Sequence, residues 1–157
     1  MTSENLKHYL TIWNLSNPTL IAESVRSDVY TVTDAGGTTV ILKLLTPVGD
    51  EERIGAVALR HFDGQGAVFL MRHDDHAQLM EYADGEDLVR LVERGNDESA
   101  TLILAEVANK LHAVPIDSPP PELMSLQRRY RSLFQKAEQH RQHLSSRDSI
   151  FIRAAEH

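Results

Sequence analysis

The sequence predicts an α+β fold in which a five-stranded antiparallel sheet with one inserted helix is followed by helices. Up to about Tyr82, short runs rich in β-branched and aromatic residues alternate with polar turns, which is the pattern of strands. One segment inside this half changes to helical spacing, and the chain keeps that spacing from Asp84 onward. These observations divide the chain into a sheet-forming part, residues 1–83, and a helical part, residues 84–157.

The predicted strands come in a group of three and a group of two. The first group is read from the runs "TLIAES", "DVYTVT" and "TTVILKLL", and the turn Asp34–Gly37 makes a hairpin of its last two members. The second group is read from "AVFLMR" and "AQLMEY", which the polar turn "HDDH" separates. A helix in "GDEERIGAVALRHF" lies between the groups, with acidic residues in its first turn and the glycines of "DGQG" after it.

The second half predicts three helices and the start of a further apolar segment. The first two are "GEDLVRLVERG" and "DESATLILAEVANKLHAV", and the proline-rich run "PIDSPPP" breaks the chain after them. The third, "ELMSLQRRYRSLFQKAEQHRQHL", carries an apolar stripe and a basic opposite face. We expect the apolar faces at residues 104–111, 126–134 and 150–152 to lack part of their cover, which predicts that the chain self-associates as a dimer.

The composition is that of an acidic globular protein. Hydrophobic residues make up 41%, and 16 basic against 23 acidic side chains give a net charge of −7. The absence of cysteine excludes disulfides and thiolate metal sites. No apolar run reaches the roughly 20 residues that cross a bilayer, and the N-terminus lacks the pattern of a secretory signal. We expect a cytoplasmic protein with a small-molecule partner, without nucleic-acid or membrane binding.

Lys43 interrupts the apolar run "VILKLL", which otherwise reads as a strand covered on both faces. Because burying an unpaired ammonium is costly, we expect Lys43 to lie at a sheet edge, to pair with a carboxylate or to face an anion. The order of three strands, a helix and two strands is that of a protein-kinase small lobe. There a lysine on the third strand reaches nucleotide phosphates, and a carboxylate on the inserted helix holds it.

Several blocks of the sequence resemble one family of enzymes. These blocks are "VILKLLTPVGDEERIGAVALRHFDGQGAVFLM", "AQLMEYADGEDL", "ATLILAEVANKLHAVP", "IWNLSNPTLIAESVRSDVYTV" and "LQRRYRSLFQKA". They are similar to the streptomycin 6-phosphotransferase group of aminoglycoside kinases, also called the aminoglycoside/hydroxyurea resistance kinases. The resemblance covers nearly all of the chain from about Trp13. It implies a protein-kinase-like fold and the phosphorylation of an aminoglycoside hydroxyl with ATP and Mg²⁺, which confers antibiotic resistance.

By this resemblance Lys43 is the phosphate-binding lysine, and Glu51 or Glu52 is its partner. Glu52 is preferred because it lies one turn before Gly55, although the mid-helix positions where a kinase-like glutamate is expected hold Gly55 and Val57. The alternative is that both glutamates only compensate the dipole at the helix N-terminus.

The resemblance also assigns two further segments to nucleotide binding. Ser24 and Ser27 lie in "ESVRSD", which takes the place of a glycine-rich phosphate loop but contains no glycine. Glu81, Tyr82 and Ala83 lie in the segment that matches the hinge between two lobes, where the backbone of Glu81 and Ala83 is expected to pair with the adenine edge. For the segment with Ser24 and Ser27, the alternative is an ordinary hairpin turn. For residues 81–83, it is a strand that runs into a helix linker.

The residues that would complete the chemistry are not in the sequence. In this family the catalytic aspartate, an asparagine and a magnesium-binding aspartate lie in an "HGDLHxxN" block and a following "DP" block. No "HGD" occurs here, and no Asp-Pro follows Lys43. We therefore read the chain as a small lobe plus the first helices of an incomplete large lobe, inactive by itself. The alternative is a non-catalytic module of kinase-like fold that binds a nucleotide or a partner.

Histidine pairs provide no convincing metal site. His73 and His76 flank two aspartates, and His140 and His143 lie three residues apart on a predicted helix. Neither pair matches a zinc-binding pattern, so we expect no metal bound by these side chains.

Overall fold

The computed structural model describes residues 3–48, 50–115, 120–123 and 125–143. The chain divides into two compact units, Met1–Pro120 and Pro121–His157. In the first unit the helices and strands are, in chain order, α1 (Ser3–Ile12), β1 (Ser16–Glu23), β2 (Ser27–Thr33), β3 (Thr39–Leu45), α2 (Asp50–Phe62), β4 (Leu70–His73), β5 (Ala77–Glu81), α3 (Leu88–Glu93) and α4 (Asp97–Ala113). The second unit contains α5 (Leu126–Arg129) and α6 (Arg131–His143).

The five strands form one sheet in the order β1-β2-β3-β5-β4, and every neighbouring pair is antiparallel. Helix α2 connects β3 to β4, and the chain then returns through β5, which lies between them in the sheet. The predicted five-stranded antiparallel sheet with one inserted helix is therefore confirmed.

Helix α1, which the sequence reading did not predict, packs on one face of the sheet. Its Tyr9 is 4% exposed and belongs to the same core as Val32, Leu42 and Leu79. The signal was present in the sequence, because four apolar residues of this segment recur at the 3–4-residue spacing of a helix face. These residues are Leu6, Tyr9, Leu10 and Trp13.

The turn after α2 lies in close contact with α4. Asp63, Gly64 and Gly66 all have positive φ, between 47° and 79°, which ends the helix in the left-handed conformation common at helix C-termini. A Cβ on Gly66 would lie 3.0 Å from the Cβ of Lys110 and 3.1 Å from the backbone nitrogen of Leu111. Glycine is therefore required at position 66 both for its φ and for the close approach of α4.

Helices α3 and α4 bury little of their apolar surface within the described residues. Asp87 caps α3 by accepting a hydrogen bond from the backbone N–H of Val89, at 2.9 Å. In α4 only Ala100 is buried, whereas Leu102, Ile103 and Leu104 are all exposed. Among the described helices, none is both long and apolar enough to span a membrane.

The third predicted helix of the second half is divided into two. Helix α5 ends at Arg129, where the next residue, Tyr130, has φ −95° and ψ 13°, and α6 begins at Arg131. A single continuous helix was therefore wrong, because the backbone leaves the α-helical conformation at Tyr130. The apolar run at residues 150–152 lies outside the described residues.

Candidate functional site

Strand β3 places Lys43 on the face of the sheet opposite the core. Val40, Leu42 and Leu44 are buried and alternate with residues that are only partly covered, among them Lys43. Because successive side chains of a strand point to opposite faces, this alternation separates the lysine from the apolar core. The expectation that both faces are fully covered was therefore wrong, since one face is packed and the other is half-buried.

Lys43 pairs with Glu52, a residue in the first turn of α2. The Lys43 Nζ donates a hydrogen bond to Glu52 Oε2, and the two side chains are 23% and 26% exposed. The side chain of Glu51 lies outside the described residues, so the structure positions only Glu52 as the partner of the lysine. An ion pair that is partly open to solvent contributes little to stability. What the pair does is fix the direction of the ammonium group.

Gln78 lies beside this pair and was not among the residues predicted from the sequence. It is directly opposite Lys43 across the β3–β5 ladder and is 2% exposed. Its Nε2 donates a hydrogen bond of 2.9 Å to the backbone carbonyl oxygen of Glu52. The available sequence signal was a lone polar residue in the apolar run "AQLM", which is unusual in a central strand.

The β1–β2 turn is closed by the hydroxyl group of Ser24. Its Oγ accepts hydrogen bonds from the backbone N–H groups of Arg26, at 3.2 Å, and Ser27, at 3.0 Å, and donates to the carbonyl oxygen of Ser27. Ser27 is buried, and Val25 at the tip is exposed. In this conformation two N–H groups that could face a phosphate are directed at Ser24 instead, so phosphate binding by this loop stays a prediction.

The predicted hinge begins at Glu81, the last residue of β5. The backbone N–H of Glu81 donates to the carbonyl oxygen of Phe69, at 3.0 Å, and the Glu81 carboxylate accepts from the N–H of Phe69, at 2.7 Å. Tyr82 and Ala83 come after the strand and are exposed. The N–H of Glu81 already donates to Phe69. The predicted contact of this residue with an adenine edge would therefore use its carbonyl oxygen.

A second polar cluster joins α1 to the β4–β5 turn. The Tyr9 hydroxyl donates to the Asp74 carboxylate, at 2.9 Å from Oδ1 and 3.0 Å from Oδ2. The same carboxylate accepts from the backbone N–H groups of His76 and Ala77. Burial of Tyr9, with the hydrogen bond and charge of Asp74, raises the pKa of its phenol.

Two clefts of the first unit lie away from the ion pair. A cleft of about 750 Å³ lies between α1, the end of β3 and the β4–β5 turn, and another of about 510 Å³ lies between the α2–β4 turn and α4. Neither is lined by Lys43 or Glu52. The ion pair is kept as the candidate site, because it brings two charged side chains from β3 and α2 together at a partly exposed position.

Among the described residues, no group of three or more His, Asp or Glu side chains could hold a metal ion. His73 Nε2 lies 3.2 Å from Nη1 of Arg60. The expectation of no histidine metal site stays a prediction for the whole protein.

Residues 12–156 match the sequence model of a family described as aminoglycoside/hydroxyurea antibiotic resistance kinase. The chain belongs to this family. The match covers the sheet, α2, α4 and the second unit, so the resemblance noted in the sequence blocks is confirmed.

Two curated relatives of this kinase-family chain are streptomycin kinases. It is 40% identical over 91 residues to streptomycin 3''-kinase of Klebsiella pneumoniae, which covers 57% of the chain and 34% of the relative. It is 34% identical over 116 residues to streptomycin 6-kinase of Streptomyces griseus, which covers 73% of the chain and 36% of the relative. The chain therefore spans about a third of the length of the curated relatives it matches.

The solved structures confirm the protein-kinase-like fold. The chain resembles the kinase of the streptomycin–ATP–APH(2")-IIa ternary complex with a TM-score of 0.59, at 13% sequence identity. The likeness covers 96% of this chain and 55% of that one. At this identity the likeness concerns the fold alone, which agrees with the strand order and with the helix inserted after β3.

Proposed function

We propose that this chain forms the nucleotide-binding part of an ATP- and Mg²⁺-dependent kinase that phosphorylates a hydroxyl group of a streptomycin-type aminoglycoside and so confers resistance to it. The family, the streptomycin kinases among its relatives and the ATP complex of its structural neighbour support this proposal. The intact protein would work in the cytoplasm, where ATP is available.

The observation that carries the proposal is the pairing of Lys43 on β3 with Glu52 on α2. In protein kinases a β3 lysine and a helix glutamate must be joined in this way before the lysine can bind nucleotide phosphates. Lysine suits that role because it offers a compact positive charge. Ser24 in the β1–β2 turn, Ser27 at the start of β2, and Glu81, Tyr82 and Ala83 at and after the end of β5 would complete the contacts to the nucleotide from this lobe.

The test is phosphoryl transfer by the intact protein with ATP, Mg²⁺ and streptomycin. Replacing Lys43 with alanine should lower kcat/KM by about 10²–10³-fold, the usual effect of removing one group that stabilises the charge of a transition state. Lys136→Ala is the matched control, since it removes an exposed lysine from α6 and should leave the rate unchanged. If the intact protein phosphorylated no aminoglycoside, the substrate would be misassigned.

The 157 residues alone should not transfer phosphate. Kinase chemistry consists almost entirely of positioning and charge neutralisation by an aspartate, an asparagine and bound Mg²⁺. The sequence contains no "HGD" block and no Asp-Pro after Lys43. A coupled ATPase assay with streptomycin tests this expectation. If the intact protein also bound ATP without turnover, that result would instead favour a non-catalytic nucleotide-binding module.

We also propose that the isolated chain self-associates through the exposed apolar residues of α4. Leu102, Ile103 and Leu104 are consecutive and exposed, so one turn of α4 presents apolar side chains over about 200° of its circumference. An exposed apolar patch favours association, and a symmetric dimer of two copies would cover it. We further propose that the boundary between the two lobes lies near residue 83, before α3 and α4.

Light scattering at several concentrations tests this association. Leu104→Glu should shift the chain toward monomer, whereas Val25→Glu, which alters an exposed residue of the β1–β2 turn, should not. A monomeric wild-type chain at high concentration would contradict the proposal.

A further inference from the structure

We propose that Gln78 is a positioning residue, which holds the first turn of α2 against β5 so that Glu52 meets Lys43. This inference rests on the proposed role of the Lys43–Glu52 pair, and it adds a residue that the sequence motifs do not include.

The position of Gln78 in the sheet supports this role. Gln78 and Lys43 are directly opposite each other on neighbouring antiparallel strands, so their side chains lie on the same face of the sheet. Lys43 is partly exposed on that face, whereas Gln78 is 2% exposed. A buried carboxamide costs free energy unless it forms hydrogen bonds. Its presence next to the ion pair therefore calls for a specific partner.

The partner is the backbone of the same residue that pairs with the lysine. Gln78 Nε2 lies 2.9 Å from the carbonyl oxygen of Glu52, and only the NH₂ end of the carboxamide can donate to a carbonyl. Glu52 is thus held at two points, by its carboxylate on β3 and by its carbonyl oxygen on β5. With both points fixed, α2 can neither rotate nor slide without breaking one of these bonds.

The hydrogen bond is additional to those of the helix itself. In an α-helix the carbonyl of residue 52 accepts from the N–H of residue 56, and both positions lie inside α2. A carbonyl oxygen has two lone pairs, so it accepts the second bond from Gln78 without giving up the first. Losing the Gln78 bond would therefore leave the helix intact, with Glu52 held to the sheet at one point instead of two. This is the expected behaviour of a positioning residue.

The test measures the exposure of the Lys43 amine in the 157-residue chain without nucleotide. The chain has four lysines, and Lys7, Lys110 and Lys136 serve as internal references. Trace labelling with isotopic acetic anhydride, followed by mass spectrometry, gives the rate at each lysine. Gln78→Met retains the length of the side chain but removes the donor. It should raise the relative labelling of Lys43 roughly three- to tenfold, the factor that one net hydrogen bond allows.

Two further variants set the scale of this experiment. Glu52→Gln removes the ion pair directly and should give at least as large a rise at Lys43. Gln65→Met changes an exposed glutamine in the turn after α2 and should give none. Hydrogen exchange should also accelerate in α2 of Gln78→Met while its rate in α4 stays the same.

Each outcome decides the assignment. A folded Gln78→Met chain with wild-type labelling of Lys43 would overturn it. If Gln78→Met failed to fold, Gln78→Leu would be measured instead. If both failed to fold, Gln78 would be a structural core residue and the positioning role would be rejected. Because no nucleotide is present, this result is independent of the Lys43→Ala activity test, and the two proposals can fail separately.

Discussion

Replacing Tyr9 with phenylalanine removes one hydroxyl group that joins α1 to the sheet. The Tyr9 ring is 4% exposed and lies 4.8 Å from the Trp13 ring, and phenylalanine would preserve this packing. What is lost is the hydrogen bond to the Asp74 carboxylate. Hydrogen bonds to charged groups contribute about 1.5–3 kcal/mol. We expect the lower part of this range, about 1.5–2 kcal/mol, because Asp74 keeps two backbone donors.

The assay is urea and thermal unfolding followed by circular dichroism. For a chain of this size, each kcal/mol shifts Tm by about 2–4 °C, so Tyr9→Phe should lower Tm by about 3–8 °C. Tyr130→Phe is the matched control, because Tyr130 is exposed and its replacement should leave Tm unchanged. A Tyr9→Phe protein with the Tm of the wild type would show that this hydroxyl does not hold α1 on the sheet.

The same variant should change the response to alkaline pH. The pKa of Tyr9 is raised in the folded protein by burial and by Asp74, whereas an unfolded tyrosine ionises near pH 10. The stability due to this difference is fully present below about pH 10 and is lost as the pH rises further, since the unfolded state releases its proton first. Tyr9→Phe should therefore lose less stability above pH 10. Some slope should remain, because burial also raises the pKa of Tyr30. An unchanged slope would contradict the assignment.

Four further variants test the turns and the surface. Gly66→Ala should destabilise the protein by about 2–4 kcal/mol, from left-handed strain plus the contact with α4. Gly37→Ala, which has a similar φ but nothing within 4 Å of the added Cβ, should cost only about 1–2 kcal/mol in the same urea titration. Arg94→Ala removes the bidentate pair with Glu86 and should leave Tm unchanged, because both groups are exposed. The pKa of Glu86 is lowered chiefly by its hydrogen bond from Arg94. In the Arg94→Ala variant this pKa should therefore rise, as measured by an NMR titration. Ser24→Ala frees two N–H groups of the β1–β2 turn and should accelerate their hydrogen exchange.

The sequence by itself determined the number of strands, their order along the chain and the position of α2. These features depend on local periodicity and turn residues, which short segments contain in full. The sequence also singled out Lys43, because a charged side chain in an apolar strand is costly to bury without a partner. Resemblance to the kinase family, rather than periodicity, then supplied its expected partner and the nucleotide-binding segments.

Only the tertiary structure decided which groups meet. Glu52 meets Lys43 because of the way α2 packs on the sheet. No spacing of residues along the sequence determines that packing. The contact of Gln78 with the Glu52 carbonyl joins residues 26 positions apart, and that of Tyr9 with Asp74 joins residues 65 apart. Such contacts form when β5 inserts between β3 and β4 and when α1 covers the face of the sheet opposite Lys43. Their cause is the packing of the whole lobe, which local sequence patterns do not record.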